Sequence, residues 1–133
     1  MAHLSIEYSN NLDDQVDMSE FCEVARKIMV KTKVFPLAGI RVRAFRADHT
    51  AIGDGGQDLA FADLTLRMGQ GRSLELRQNV LQELYNTLAD WCAGQVSIPF
   101  ALSLEILEID PAFSKKNLNT IRPALTARGA LNV

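Results

Sequence analysis

The sequence predicts an α+β fold: two strand-helix-strand units forming a four-stranded mixed sheet, with two helices on one face. Three observations carry this. Four stretches alternate apolar and polar residues with the period of a strand, among them HLSIEY at the amino end and IRVRAFRA from residue 40. Two longer stretches repeat apolar residues at helical spacing. The order strand, helix, strand then recurs, the halves offset by roughly sixty residues, which marks a duplicated unit.

Composition narrows the class. At 133 residues the chain fits one domain able to bury a core without staples. Hydrophobic residues at 47% and charged residues at 23% are ordinary for a soluble globular protein. A formal net charge of -2 argues against nucleic acid or an anionic membrane as partner. No basic segment precedes an apolar run, and no apolar stretch approaches the roughly 20 residues that span a bilayer. A cytoplasmic location is expected. Cys22 and Cys92 fall far apart in helical patterns without CxxC spacing, and read as two buried free thiols.

The first strand begins almost at the first residue, with Leu4, Ile6 and Tyr8 alternating with His3, Ser5 and Glu7. Most chain ends stay loose unless something ties them down, so this early order needs a reason. SNNLDDQVD is polar and turn-rich. Met18, Phe21, Cys22, Ala25, Ile28 and Met29 then recur at helical spacing, with Asp17 placed as the cap and Glu20 three residues on. The helix should fade near Thr32, since VFPLAG carries a proline and a glycine.

IRVRAFRA is the second strand, with Ile40, Val42 and Ala44 on one face and Arg41, Arg43 and Phe45 on the other. DHTAIGDGGQD is a glycine-rich loop, LAFADLTLRM a third strand, and GQGRS its break. A long amphipathic helix follows, expected from Ser73 to Ala93 with Gly94 ending it, and IPFALSLEILEI is the fourth strand. Strand pairs joined through a helix are parallel. With both helices on one face, the other sheet face lies open, and the mixture of Phe45 and Phe61 with charged neighbours there suggests a subunit interface. The tail SKKNLNTIRPALTARGALNV reads as a short helix followed by a loose end.

No metal-ligand cluster is visible: His3 and His49 are isolated, and each reads as a surface residue. No nucleophile elbow or phosphate-loop pattern follows a strand. Two arginines stand out. Arg72 in GQGRSLE immediately precedes the second helix, where its guanidinium would lie beside unpaired helical N–H groups, a place that suits a carboxylate. Arg41 opens the second strand directly after FPLAG. Taken alone, both read as solvated surface arginines.

FPLAGIRVRAF and DLAFADLTLRMGQGRSLELRQ strongly resemble the 5-carboxymethyl-2-hydroxymuconate isomerase family of the tautomerase superfamily. The likeness is collinear from about Ala2 to about Leu118, including FALSLEILEIDP; it is specific at FPLAGIR and GRSLE, and loose in both helices. It implies a tautomerase-like domain over residues 1–121, a C-terminal tail over 122–133, and assembly as a homotrimer. The resemblance also implies an enzyme without metal or cofactor that moves a proton within an unsaturated keto-dicarboxylate derived from homoprotocatechuate breakdown. The family's base is an amino-terminal proline exposed by removal of the initiator Met. An α-amine titrates near 7.7–8.0, and burial near cations lowers that toward working pH. By motif, Arg41 and Arg72 match the family's two arginines, which bind substrate carboxylates and stabilise the dienolate.

Here the residue after Met1 is Ala2, followed by His3. If Met1 is removed, Ala2 offers a primary amine where the family has proline, without the ring that fixes its direction. If Met1 stays, the amine moves by about one residue, roughly 3.5 Å, and an amide takes the base position. The implied catalytic residues are therefore Ala2, Arg72 and Arg41, with Arg41 and Arg72 binding substrate. A second reading is a non-catalytic trimer that keeps the pocket as a carboxylate-binding or interaction module. Altered chemistry in the same pocket, such as decarboxylation or dehalogenation, ranks last, because no added carboxylate is poised to activate water.

Overall fold

Strand β1 (Ala2–Ser9) lies inside the sheet from its first residue. The computed structural model describes residues 1–133. It adds strands β2 (Ile40–Ala47), β3 (Ala60–Gly69) and β4 (Phe100–Ile109) in the order β2-β1-β3-β4. β1 runs parallel to β2 and antiparallel to β3, while β3 and β4 are parallel. The mixed sheet expected from the duplicated unit is what forms.

Side-chain alternation then sorts the residues by face. Ala2, Leu4 and Ile6 of β1 and Ala62, Leu64, Leu66 and Met68 of β3 are fully buried under the helices. Helix α1 (Met18–Lys31) covers β2, and helix α2 (Leu74–Gln95) covers β4. The helices meet through Phe21 and Trp91, whose rings stand edge-to-face with centroids 5.3 Å apart. The opposite sheet face carries Arg41, Arg43 and Phe45 on β2, His3, Ser5 and Glu7 on β1, and Phe61, Asp63, Thr65 and Arg67 on β3. No helix covers that face.

Asp17 caps α1 as expected, its carboxylate accepting from the backbone N–H groups of Ser19 and Glu20. Ser73 caps α2 through the N–H of Leu76. Gly94 does not end α2: the helix runs through it to Gln95, and the stop comes at Val96, which takes an extended conformation. An exposed glycine in a last turn costs too little to end a helix by itself. The fourth strand begins at Phe100 rather than Ile98, since Pro99 has no N–H for the ladder.

Both cysteines are free, but only Cys92 is fully buried, its thiol pushed up to about 11 by burial; Cys22 is half-buried. After β4 the chain forms a further short helix, α3 (Ile121–Ala127), against the turn Leu37–Gly39. The chain end is not loose. The N–H of Leu37 donates to the carbonyl of Asn132 at 2.7 Å, and the Asn132 amide donates to the carbonyl of Phe35 at 3.2 Å. No helix is long and apolar enough to cross a membrane.

Leu64 pairs with Ile6 on one side and Leu104 on the other, at full burial. Leu64→Ala should lower folding stability by about 2–5 kcal/mol, read from the shift in urea midpoint at fixed protein concentration. A shift well under that range would mean that the core is not centred on β3.

Candidate active site at the amino terminus

The parallel register of β1 with β2 sets Ala2 opposite Ile40, so the Leu37–Gly39 turn lies beside the chain start. Gly39 allows a close approach there: a Cβ at this position would come within 3.2 Å of the Met1 Cα and 3.5 Å of its amine nitrogen. The FPLAG segment thus lies against the amino end by backbone contact, and a side chain at this position would require Met1 to give by a few tenths of an ångström.

Ala2 is completely buried and Met1 half-buried. The α-amine of Met1 sits below its ordinary value of 8.0, first because of burial and then because of the positive charges of Lys116, Arg72, Arg41 and Arg122. Its surroundings are one-sided. All ion pairs in the protein join Glu23, Asp13, Asp48 or Glu108 to Arg26, Arg46 or Arg77, and none of them engages Lys116, Arg72, Arg41 or Arg122.

Arg72 and Arg41, the two arginines singled out in the sequence, both act on this amine through their charge, and both are half-buried, but neither lines the two clefts beside Met1. Arg72 does not lie along the N-terminus of α2 as expected. Its guanidinium instead donates to the carbonyls of Gly69 at 3.1 Å and Val34 at 3.2 Å, and stacks 5.4 Å from the centroid of Phe35. Ser73 already serves the helix, and the freed carbonyls at the end of β3 and before FPLAG compete for the arginine. Two of its five N–H donors are thereby engaged, which fixes its orientation and leaves the others for a ligand. Arg41 donates to the carbonyl of Gly39 at 3.4 Å.

His3 is not the surface residue that its isolation in sequence suggests. It is half-buried, between Arg41 and Arg67 in the strand register. Arg43 lies 3.1 Å from its Nδ1; since arginine only donates, Nδ1 accepts, and the ring proton is assigned to Nε2. Nε2 in turn lies 3.2 Å from the Met1 sulfur. Burial and the charges of Arg43, Arg67 and Arg41 hold the imidazole below its usual value, hence neutral near pH 7.

Two clefts flank the amino end. One, about 410 Å³, is lined by Met1, His3, Arg67, Gln70, Lys115 and Lys116 among others. The second, about 240 Å³, includes Met1, Gly39, Asn119, Lys116 and Arg122. Neither is lined by an Asp or Glu. No cluster of three or more His, Cys, Asp or Glu side chains could hold a metal ion. Such a site can bind an anion and lower the proton affinity of an amine. His3, Arg67, Lys116 and Arg122 were not legible as site residues, because register and chain return, not local motif, bring them here.

A four-stranded mixed sheet that brings its own amino end beside cation-lined clefts has the tautomerase fold that the sequence resemblance implies. The 5-carboxymethyl-2-hydroxymuconate isomerase family model matches residues 2–125. The Escherichia coli 5-carboxymethyl-2-hydroxymuconate Delta-isomerase is 35% identical over 120 residues, covering 90% of this chain and 95% of that protein. A solved 5-carboxymethyl-2-hydroxymuconate isomerase from Deinococcus radiodurans R1 superposes with a TM-score of 0.82 at 31% identity, over 92% of each chain. A second solved structure, a 5-carboxymethyl-2-hydroxymuconate delta-isomerase, gives 0.80 at 31% identity over 93% of each. The chain belongs to the 5-carboxymethyl-2-hydroxymuconate isomerase family.

The depressed amine has a pH consequence. In the folded chain the ammonium form is disfavoured, so the unfolded chain binds more protons and stability rises with pH through the window just below 8.0. Competitive acetylation of the α-amine should titrate below 8.0 in the native protein and return toward that value in urea. Equal midpoints in the two states would remove the electrostatic basis of the site.

Proposed function

We propose that the chain catalyses the proton transfer of a 5-carboxymethyl-2-hydroxymuconate isomerase, moving a proton within an unsaturated keto acid that carries several carboxylates. The α-amine of Ala2, exposed by removal of Met1, is the general base. The observation that carries this is the amino end itself: ordered, partly desolvated and with an amine at Met1 whose proton affinity is lowered by burial and by the charges of Lys116, Arg72, Arg41 and Arg122. An amine at Ala2, one residue further into the sheet, enters the same surroundings, and burial and like charge act on it in the same direction, toward the free base.

Arg72 and Arg41 then serve the anion. The base takes a proton from carbon, negative charge spreads over the dienolate and its carboxylate, and the arginines stabilise that charge as it develops. The same amine, now an ammonium, returns the proton to a different carbon. No atom is gained or lost, so the reaction requires no redox partner. The two carbonyl bonds of Arg72 support the reading, because a pre-fixed guanidinium need not reorganise during the step.

The unit is proposed to be a homotrimer. The support is the uncovered sheet face, where Phe45 is more than half exposed and Glu7 stands opposite Asp63 without a cationic partner. Sedimentation should give a mass about three times that of the chain.

Ketonisation of simple enol acids tests the activity in protein whose first residue has been fixed by intact mass. Chains beginning at Ala2 should turn over and chains retaining Met1 should not. Ala2→Pro should raise kcat, since a ring nitrogen points its lone pair without the entropy of a free amine. Arg72→Gln should lower kcat/KM by about 100-fold or more. No turnover in chains shown to begin at Ala2, with activity restored by Ala2→Pro, would mean that the natural protein is not an isomerase.

In chains beginning at Ala2, Gly39→Ala should leave the urea midpoint and kcat nearly unchanged, because the tight contacts of a Cβ there are with Met1, and the Ala2 nitrogen lies 3.9 Å away, at ordinary van der Waals distance. A fall in kcat of about tenfold would show that this turn sets the position of the base.

A further inference from the structure

We propose that His3 is a substrate-contacting residue of this site: its Nε2–H, released from the Met1 sulfur when that residue is removed, donates to the enol oxygen of the ligand. The inference rests on the isomerase reading of the amino-terminal site and adds a group that neither arginine supplies. His3 is held as a donor of fixed direction. Its backbone lies in β1 between β2 and β3, and Arg43 anchors its ring by donating to Nδ1 at 3.1 Å. That bond leaves the ring proton on Nε2. Burial and the charges of Arg43, Arg67 and Arg41 favour the neutral ring, which carries a single N–H.

Nε2 has one partner, the sulfur of Met1 at 3.2 Å. A thioether is a weak acceptor, so the donor is poorly matched in a chain that keeps Met1. The imidazole also lines the cleft of about 410 Å³, together with Met1, Gln70 and Lys116, and no carboxylate there can take the place of the sulfur. An N–H held in a cleft without an acid is answered by water or by a ligand oxygen, and the oxygen that gains charge in the reaction is the better acceptor.

Met1 itself marks out the path between base and donor. Its carbonyl carbon is bonded to the Ala2 nitrogen and its sulfur touches Nε2, so the space it fills runs from one to the other. Removal of Met1 opens that space. A 2-hydroxydienoate, whose reacting carbons and enol oxygen lie a few bonds apart, is of similar length. With a reacting carbon at the amine, the enol oxygen falls at Nε2. A neutral imidazole there stabilises the dienolate without surrendering a proton to it, so the ammonium of Ala2 remains the proton source for carbon. Arg41, opposite His3 in the register of β1 and β2, lies on the same sheet face and is left for a carboxylate.

Chains verified by intact mass to begin at Ala2 test this by kinetics and with an unreactive probe. His3→Leu deletes the donor and should lower kcat for enol-acid ketonisation by about 100-fold, with KM within about threefold. His3→Gln restores an N–H and should recover about tenfold of that loss. Oxalate copies the planar oxygen-and-carboxylate end of the enolate. In proton–nitrogen spectra of the wild type, His3 should show the Nε2–H tautomer, and its Nε2 signal should move with oxalate but not with acetate. An unchanged urea midpoint establishes that each variant is folded; should His3→Leu not fold, the oxalate response of the wild type decides. A folded His3→Leu that loses less than about tenfold in kcat, an Nδ1–H tautomer, or an Nε2 signal indifferent to oxalate overturns the proposal. If chains beginning at Ala2 turn nothing over while oxalate still moves the Nε2 signal, the isomerase reading fails and the donor role of His3 stands.

Discussion

The structure depends on one pairing: β1 is hydrogen-bonded on both sides from its first residue, parallel to β2 and antiparallel to β3. A strand at a sheet interior cannot fray without breaking two ladders, so the usual entropy of a chain end is suppressed. Burial of Ala2, Leu4 and Ile6 under the helices reinforces this. The α-amine is consequently carried to a fixed place at the end of the sheet, partly out of water. Everything chemical at this site follows from where that nitrogen is forced to sit.

Around it the fold assembles cations from three separate parts of the chain: Arg41 at the start of β2, Arg72 before α2, and Lys116 with Arg122 in the arm. Like charges gathered without an acid oppose folding, and two features contain the cost. The groups remain at least partly hydrated, where screening is strong, and Arg72 is held by two carbonyls and the face of Phe35. The residual repulsion would be relieved by a bound anion, as the proposed function requires. His3 belongs to this balance. Arg43 keeps its Nδ1 occupied, and the neighbouring guanidinium groups keep the ring neutral, so it adds a hydrogen-bond donor without adding a fifth charge.

Most of the fold was legible along the chain because its elements are local. Strand alternation in HLSIEY and IRVRAFRA and the Asp17 cap appear in the structure as read. Errors fell where a local rule met a competing partner. Gly94 was read as a stop, yet one exposed glycine cannot outweigh the preceding turns of α2. Arg72 precedes the helix in sequence, but Ser73 caps it, and the carbonyls of Gly69 at the end of β3 and of Val34 before FPLAG hold the guanidinium instead. His3 looked isolated because its neighbours, Arg41, Arg43 and Arg67, are close only across strands.

The sequence by itself determined the duplicated strand-helix-strand plan, the face that each strand buries, and, through FPLAGIR and GRSLE, the two arginines to watch. These are properties of spacing within a few residues, which side-chain periodicity and short motifs record directly. Only the tertiary structure decided what surrounds the amine. The approach of Gly39 to Met1, the return of the arm that sets Asn119 against Ala38, and the convergence of Lys116 and Arg122 with arginines 44 to 81 residues away all depend on strand register and chain return. No periodicity encodes contacts between segments so distant in sequence; they exist because β1 is pinned between β2 and β3 and the rest of the chain must close around its end.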